Sequence, residues 1–173
     1  MSWVGNRHEL PNDVRITLLN LRFDEQPALP DISYVIGDAR KMDMFVDREF
    51  DLCFSNSVIE HISTLRDQFS AAQEIRRVAK GYFVQTPNRF FPLEPHFLVL
   101  GWQFAPVAIR ARLLQRFDLG WMKRVEDLAL ARAAVESIRL LSERELKSLF
   151  PDGEIYREKC GPLTKSMVAS RPI

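Results

Sequence analysis

Short apolar runs separated by turn residues mark the first half of the chain. Branched and apolar residues predict strands at Val14–Leu21, Ser33–Ile36, Phe50–Ser55 and Tyr82–Thr86. The run at Phe50–Ser55 is almost continuously apolar, which is typical of a parallel strand covered on both faces. We therefore expect a sheet in which at least this strand lies in the interior.

Between the third and fourth runs the apolar period changes to that of a helix. Apolar side chains recur every three or four positions, at Leu65, Phe69, Ala72, Ile75 and Val78. Thr64 and Asp67 have the spacing of an N-terminal capping pair, and Gly81 is expected to end the helix after Lys80. A strand, a helix and a second strand at this spacing predict a right-handed parallel crossover.

The second half of the chain predicts a helical insertion and then a return to the sheet. Residues 88–139 contain three prolines, many aromatic residues and two helical patterns, at Pro106–Phe117 and Val125–Ile138. Ser142 and Glu145 form a capping box before a short helix, and strands are expected at Glu154–Arg157 and Ser166–Ala169. This order predicts an α/β fold, with a Rossmann-like, mostly parallel sheet and flanking helices. We expect one domain over residues 1–173, with 88–139 as an inserted helical cap.

Composition narrows the class of protein. The chain has 173 residues, of which 46% are hydrophobic, so it has enough apolar residues for a packed core. Its formal net charge of +1 gives no overall electrostatic attraction to nucleic acid. Cys53 and Cys160 belong to no metal-type cluster, and a reducing cytoplasm is the default expectation. Residues 1–10 lack the apolar core of an export signal, and the apolar stretch at 97–109 is shorter than the roughly 20 residues of a membrane span.

Four blocks in order resemble the class I S-adenosylmethionine-dependent methyltransferases. They are GDA at 37–39, FDLCFSNSVIEHI at 50–62, TPNRFFPLEPHF at 86–97 and LLSERELKSLFP at 140–151. The resemblance covers about residues 14–171 and implies S-adenosylmethionine as cofactor. It also implies transfer of a methyl group to a small-molecule or sugar-like acceptor.

The same resemblance assigns a cofactor site at the carboxyl ends of the strands, where ligands of open α/β sheets bind. It implies that Asp38 accepts a hydrogen bond from the adenine amino group and that Ala39 contacts the ring. Asn20 falls where the family usually has an acid that binds the ribose hydroxyls. Ser55, Asn56 and Ser57 would lie under the methionine part. Without the family pattern, Asp38 and Asn20 are also explained as ordinary turn residues.

His61 is a candidate base, because imidazole can deprotonate an acceptor near neutral pH. A surface or helix-capping histidine is an equally good interpretation, and an acceptor that is already nucleophilic needs no base. Some relatives carry Glu-x-x-Glu-His here and bind a divalent metal. In this chain Ser57 takes the first position and leaves Glu60 and His61 as only two ligands, so we predict no metal.

Residues 88–139 are also where acceptor specificity is expected, with Arg89 and His96 as candidate substrate-binding residues. Their aromatic and arginine side chains are compatible with a pocket for a hydrophobic or anionic acceptor. They are also explained by packing of the cap onto the sheet with a solvated arginine face, and a third alternative is shallow membrane association. His96 could also be a structural histidine held by a hydrogen bond.

One family element is missing from the sequence. The relatives begin with a central strand and a GxGxG loop, whereas the seven glycines here are too widely spaced to form one. Three outcomes follow: the flanking strands pair directly, a second chain completes the sheet as a homo-oligomer, or the chain is a piece of a longer product. The alternative function is therefore a catalytically silent methyltransferase-like interaction module or a truncated product. A nicotinamide-dependent dehydrogenase lacks its GxGxxG motif.

Overall fold

The computed structural model of the chain describes residues 14–27 and 31–173. The strands are β1 (Ile16–Asn20), β2 (Ile32–Ile36), β3 (Phe50–Asn56), β4 (Ala79–Pro87), β5 (Glu154–Cys160) and β6 (Leu163–Arg171). The helices are α1 (Leu65–Val78), α2 (Val107–Leu114), α3 (Leu128–Glu136) and α4 (Glu143–Leu149), with short 3₁₀ turns at Ile59–His61 and Trp102–Phe104. Predictions about residues 1–13 and 28–30 lie outside the described residues.

The strands form two sheets. β1 and β2 pair in parallel, and a four-stranded sheet has the order β3-β4-β6-β5. β3 and β4 pair in parallel and flank α1 along the chain, as the sequence predicts. Only β6 runs against the other strands of its sheet, because β5 and β6 are an antiparallel hairpin turning at Gly161, where φ is +59°. The predicted α/β class is confirmed. The expectation that the strand at Phe50–Ser55 lies in the interior is wrong for the described residues: β3 is an edge strand because it pairs on one side only, with β4, and its Leu52 and Phe54 side chains are about half exposed.

The missing central strand is expected between β1 and β3. Among the described residues, these two strands do not pair with each other. β1 pairs only with β2, and β3 pairs only with β4. The two sheets are joined instead by side-chain packing, since Leu19 and Val35 pack against the main core. The first of the three outcomes expected from the sequence is therefore wrong for this part of the chain.

The boundary between α1 and β4 also differs from the prediction. The helix ends at Val78 and the strand begins at Ala79, so Gly81 lies inside β4 and does not end the helix. A Cβ at Gly81 would lie 2.8 Å from the carbonyl oxygen of Arg171, which ends β6. The glycine is needed for close approach of this neighbouring backbone.

Two hydrophobic clusters stabilise the fold. The main cluster joins the four-stranded sheet to α1 and α4 around Tyr82, Leu146 and Phe150. A second cluster, around Phe97, Trp102 and Leu114, is formed by residues between 97 and 138. This second cluster gives the region predicted as a cap a hydrophobic core of its own. The boundary of the cap at residues 88–139 stays a prediction. No helix among the described residues is both long and apolar enough to cross a bilayer.

Candidate functional site

The residues predicted to bind a cofactor all lie at the carboxyl ends of parallel strands. Asn20 ends β1, Asp38 and Ala39 follow β2, and Ser55 and Asn56 end β3 before Ser57. β1 and β2 are in register from Ile16 to Asn20, so Asn20 stands opposite Ile36, just before Asp38. Parallel pairing thus places Asn20 and Asp38 at one edge of their sheet.

Both polar side chains at this edge already have local partners. The Asn20 side-chain oxygen accepts a hydrogen bond from the backbone N–H of Leu21 at 2.8 Å. The Asp38 carboxylate accepts hydrogen bonds from the Arg40 guanidinium at 2.6 to 3.0 Å, which holds the pKa of Asp38 below its usual range. Nη1 of Arg40 also lies 3.6 Å from Oδ2 of Asp67, in the first turn of α1. Arg40 therefore links Asp38 to the start of that helix.

The segment after β3 turns sharply. Ser57 has a φ of +54°, an uncommon conformation for a residue with a side chain. Its backbone N–H donates to the Gln85 carbonyl at 3.1 Å and its hydroxyl donates to the Gln85 side-chain oxygen at 2.9 Å. These bonds anchor the turn to β4 and direct the chain into the 3₁₀ turn that carries Glu60 and His61.

Glu60 is fully buried, and its two carboxylate oxygens have different surroundings. Oε2 accepts a hydrogen bond from the Thr86 hydroxyl at 3.0 Å. Oε1 is buried and has no hydrogen-bond partner among the described residues. Burial raises the pKa of Glu60, which favours the protonated acid. This environment could not be predicted from the sequence, because Thr86 lies on β4, 26 residues away from Glu60 along the chain.

His96 joins Glu60 and His61 from the loop between β4 and α2. The rings of His61 and His96 meet edge to face with 4.9 Å between centroids. Glu94 fixes His96: Oε1 lies 2.7 Å from the ring Nδ1, while Oε2 accepts the backbone N–H groups of His96 and Phe97. The structure thus brings the candidate base and one of the candidate substrate residues together.

The three side chains also form a set of metal-type ligands. Glu60, His61 and His96 each offer one ligand atom, and these atoms lie within 4.8 Å of one another. The count of two ligands made from the sequence omitted His96, because the loop that delivers it is remote along the chain. Two imidazoles and a carboxylate are a ligand set that a divalent transition metal can use.

A cavity of about 200 Å³ lies beside this cluster. Glu94 connects them, since it lines the cavity and holds His96. The other lining residues come from the loop after β4, from α2 and from the segment before α4: Arg89, Phe97, Trp102, Gln103, Arg110, Ile138, Arg139 and Leu140. Arg89, a predicted substrate-binding residue, lines this cavity, whereas none of the predicted cofactor residues does.

Several residues of this region were not selected from the sequence as site residues. Glu94, Trp102, Gln103 and Arg110 line the cavity, and Thr86 orients Glu60. In the sequence, Trp102 and Arg110 are simply two of the many aromatic and arginine residues between positions 88 and 139. Their distinguishing property is that Trp102 Nε1, Arg110 Nε and Gln103 Oε1 are buried without hydrogen-bond partners among the described residues.

Comparison with known proteins finds a family match to part of the chain. The model of the methyltransferase domain family matches residues 12–84, which include β1 to β3, α1 and the first part of β4. The match supports the resemblance for the blocks at 37–39 and 50–62, whereas the blocks at 86–97 and 140–151 lie outside it. It ends before the loop that carries Glu94 and His96.

Two curated relatives are uncharacterised proteins of Mycobacterium tuberculosis, Rv1509 of strain H37Rv and MT1557 of strain CDC 1551. Each is 32% identical over 62 residues, which is 36% of this chain and 21% of the relative. The matched part of the chain thus spans about a fifth of the relatives' length.

Three solved structures are similar at low identity. A possible exported protein from Bordetella parapertussis has a TM-score of 0.49 at 11% identity, over 83% of this chain and 45% of its own. A SAM-dependent methyltransferase from Methanosarcina mazei has a TM-score of 0.49 at 10% identity. The match covers 82% of this chain and 68% of the Methanosarcina mazei chain. An O-methyltransferase family protein from Burkholderia thailandensis has a TM-score of 0.44 at 10% identity. The match covers 82% of this chain and 36% of the Burkholderia thailandensis chain.

Proposed function

Because residues 12–84 match the methyltransferase domain family, we propose that this chain transfers a methyl group from S-adenosylmethionine to a small-molecule acceptor. The observation that supports this most strongly is the placement of the polar residues after the strands. Asn20, Asp38 and Ser57 each follow the carboxyl end of a parallel strand, which is the edge where open α/β sheets bind nucleotide-like ligands.

The polar groups at this edge fit the proposed cofactor. Three N–H groups of Arg40 already donate to the Asp38 carboxylate, which leaves about one of its four lone-pair positions for an adenine amino group. The Asn20 oxygen uses one bond on Leu21, which leaves its amide N–H groups for the ribose hydroxyls. Backbone groups of Ala39 and of Ser55–Ser57 are the proposed contacts to the ring and the methionine part. The cofactor, when bound, supplies a methyl group on a positively charged sulfur.

The chain's own chemistry then concerns the acceptor. Burial and the nearby His96 lower the pKa of His61, so its imidazole is neutral at pH 7 and able to take a proton. We assign His61 as the candidate base, and Arg89 and His96 as residues on the acceptor side. The reaction as proposed needs no metal, because an activated acceptor attacks the methyl carbon directly.

The experiment that tests this proposal is calorimetric titration with S-adenosylmethionine and S-adenosylhomocysteine. We expect one site per chain, with affinity about ten-fold lower in Asp38→Asn, because the neutral amide is a weaker acceptor than the carboxylate. Asp43→Asn is the matched control, since Asp43 lies in the same loop and is exposed with an ion pair to Lys41. Failure of the unaltered protein to bind either compound would favour the catalytically silent alternative.

A further inference from the structure

Two of the residues that line the cavity beside the Glu60–His61–His96 cluster, Trp102 and Arg110, each have a buried donor that the described residues leave unpaired. The indole Nε1 of Trp102 has no hydrogen-bond partner there, although the residue is only 2% exposed. Nε of Arg110 is likewise buried and unpaired. An unpaired buried donor destabilises a protein, and a charged one does so more strongly, so two donors beside one cavity point to a ligand that accepts from both.

The charges that line the cavity favour an anion. Arg89, Arg110 and Arg139 are positive and Glu94 is the one acidic lining residue. Arg139 is committed to Glu145 and the Gln68 side-chain oxygen, and Glu94 is committed to His96 and two backbone N–H groups. Arg110, by contrast, makes one hydrogen bond among the described residues, a long 3.5 Å contact from Nη1 to the Val135 carbonyl. The charges of Glu94 and Glu136 act on its guanidinium, but neither carboxylate forms an ion pair with it in the described part of the chain, so the guanidinium is available to an anion.

Gln103 adds a different requirement. Its side-chain nitrogen donates to the carbonyl oxygens of Arg89 and Phe91, at 2.9 and 2.8 Å, which fixes the orientation of the amide. The remaining oxygen, Oε1, is buried without a partner among the described residues. An oxygen in this state accepts a hydroxyl or N–H donor and repels an oxyanion.

We propose that this cavity binds a small hydroxylated oxyanion, with Trp102 Nε1 and Arg110 Nε donating to the anionic group and Gln103 Oε1 accepting from a neighbouring hydroxyl. A sugar acid or a sugar phosphate has this chemistry. At about 200 Å³ the cavity is below the usual range for a drug-sized ligand, so it suits the anionic end of such a molecule. Naming this molecule as the methyl acceptor rests on the proposed function, whereas its binding does not.

The first test compares matched probes on the unaltered protein, without S-adenosylmethionine. Calorimetry in a phosphate-free buffer is run with glucuronate, glucose 6-phosphate and neutral glucose. We expect at least one of the two anions to bind, and about ten-fold or more tighter than glucose, because charge-assisted bonds to buried donors are absent for the neutral sugar. Binding of glucose as tight as that of both anions, or no binding of either anion, would overturn the proposal.

Variants then locate the site. Trp102→Phe removes the N–H and keeps an aromatic ring in the core, and Arg110→Gln removes the charge. Each is expected to weaken anion binding about ten-fold, while Arg112→Gln, an exposed arginine on the same helix, changes it less than two-fold. Circular dichroism checks that each variant is folded. Equal losses in Arg112→Gln and Arg110→Gln would show nonspecific attraction and contradict the assignment.

Gln103→Leu separates the hydroxyl contact from the anion contact. We expect this variant to lose the preference for glucuronate over acetate while it still binds acetate, because only the acceptor for the neighbouring hydroxyl has been removed. An unchanged preference would contradict the role of Gln103. These titrations are independent of the cofactor: anion binding without S-adenosylmethionine binding would sustain the cavity proposal and remove the methyltransferase proposal.

Discussion

His61 and His96 are in ring contact, yet their protonation equilibria move in opposite directions. Burial and the positive charge of a protonated His96 lower the pKa of His61. Burial also acts to lower the pKa of His96, but the hydrogen bond and charge of Glu94 outweigh it and raise that pKa. One carboxylate on one ring is therefore enough to separate the two equilibria, so that His61 loses its proton at a lower pH than His96 does.

This difference predicts the pH dependence of methyl transfer if His61 is the base. Only neutral His61 accepts a proton, and its lowered pKa places the rise in kcat/KM below the usual imidazole value of about 6.5, with a plateau above it. We expect His61→Ala to lower the plateau roughly 100-fold and to abolish this rise, as measured with the acceptor at several pH values. His8→Ala, which removes the third histidine of the chain, is the control. Unchanged turnover in His61→Ala would remove the assignment, and turnover lost with a chelator and restored by Zn²⁺ would show that the cluster works through a metal.

What the sequence could predict at this scale was limited to residues close along the chain. Glu60 and His61 are adjacent, and their place after the apolar run that forms β3 was enough to select them. His96 could be listed as a candidate for the acceptor, but its ring contact with His61 depends on the path of the loop after β4, which no local pattern encodes. The ion pair between Asp38 and Arg40 was also unforeseen, although the two residues are only two positions apart, because a turn geometry decides whether they meet.

Elements with strong local signals were predicted best. The hydroxyl of Thr64 accepts the Asp67 N–H at 3.0 Å, and Ser142 and Glu145 form the reciprocal capping box at α4. Both starts follow from side chains that satisfy free N–H groups of the first turn. The end of α1 was misplaced by two residues because Gly81 was interpreted as a stop signal, whereas its role depends on the backbone of β6 lying against it.

The cap at Thr64 gives a prediction at the level of the helix. Thr64→Ala removes the acceptor for the Asp67 N–H, so we expect the free energy of unfolding to fall by about 1 kcal/mol in urea denaturation. Thr64→Ser should retain most of that stability, and Ala at the neighbouring exposed Ser63 serves as the matched control. A loss in Ser63→Ala as large as that in Thr64→Ala would mean that the cap is not what stabilises the helix.

At the level of the whole molecule, the division into two sheets is the feature that relates stability to function. The four-stranded sheet carries the buried core with α1 and α4, whereas β1 and β2 contribute Leu19 and Val35 at its margin. A two-stranded sheet is only marginally stable by itself. The proposed cofactor residues Asn20 and Asp38 nevertheless lie on that smaller sheet, while Ser55–Ser57 and His61 follow the larger one. A cofactor that contacts both groups would hold the two sheets together.

Hydrogen exchange measures this arrangement directly. Without ligand, we expect amides of β1 and β2 to exchange about ten-fold or more faster than those of β4 and β6, because opening the smaller sheet exposes less buried apolar surface. Saturating S-adenosylmethionine should slow exchange in β1, β2 and the turn after β3 together, since a ligand that bridges the sheets stabilises the closed state of both. The strand pair β5 and β6 is the internal control, because it forms the far side of the larger sheet and should be unaffected by bridging. Equal protection of β1 and β4 without ligand would contradict two separately opening sheets and would fit a sheet completed by a second copy, which a concentration-dependent measurement of mass in solution would then reveal.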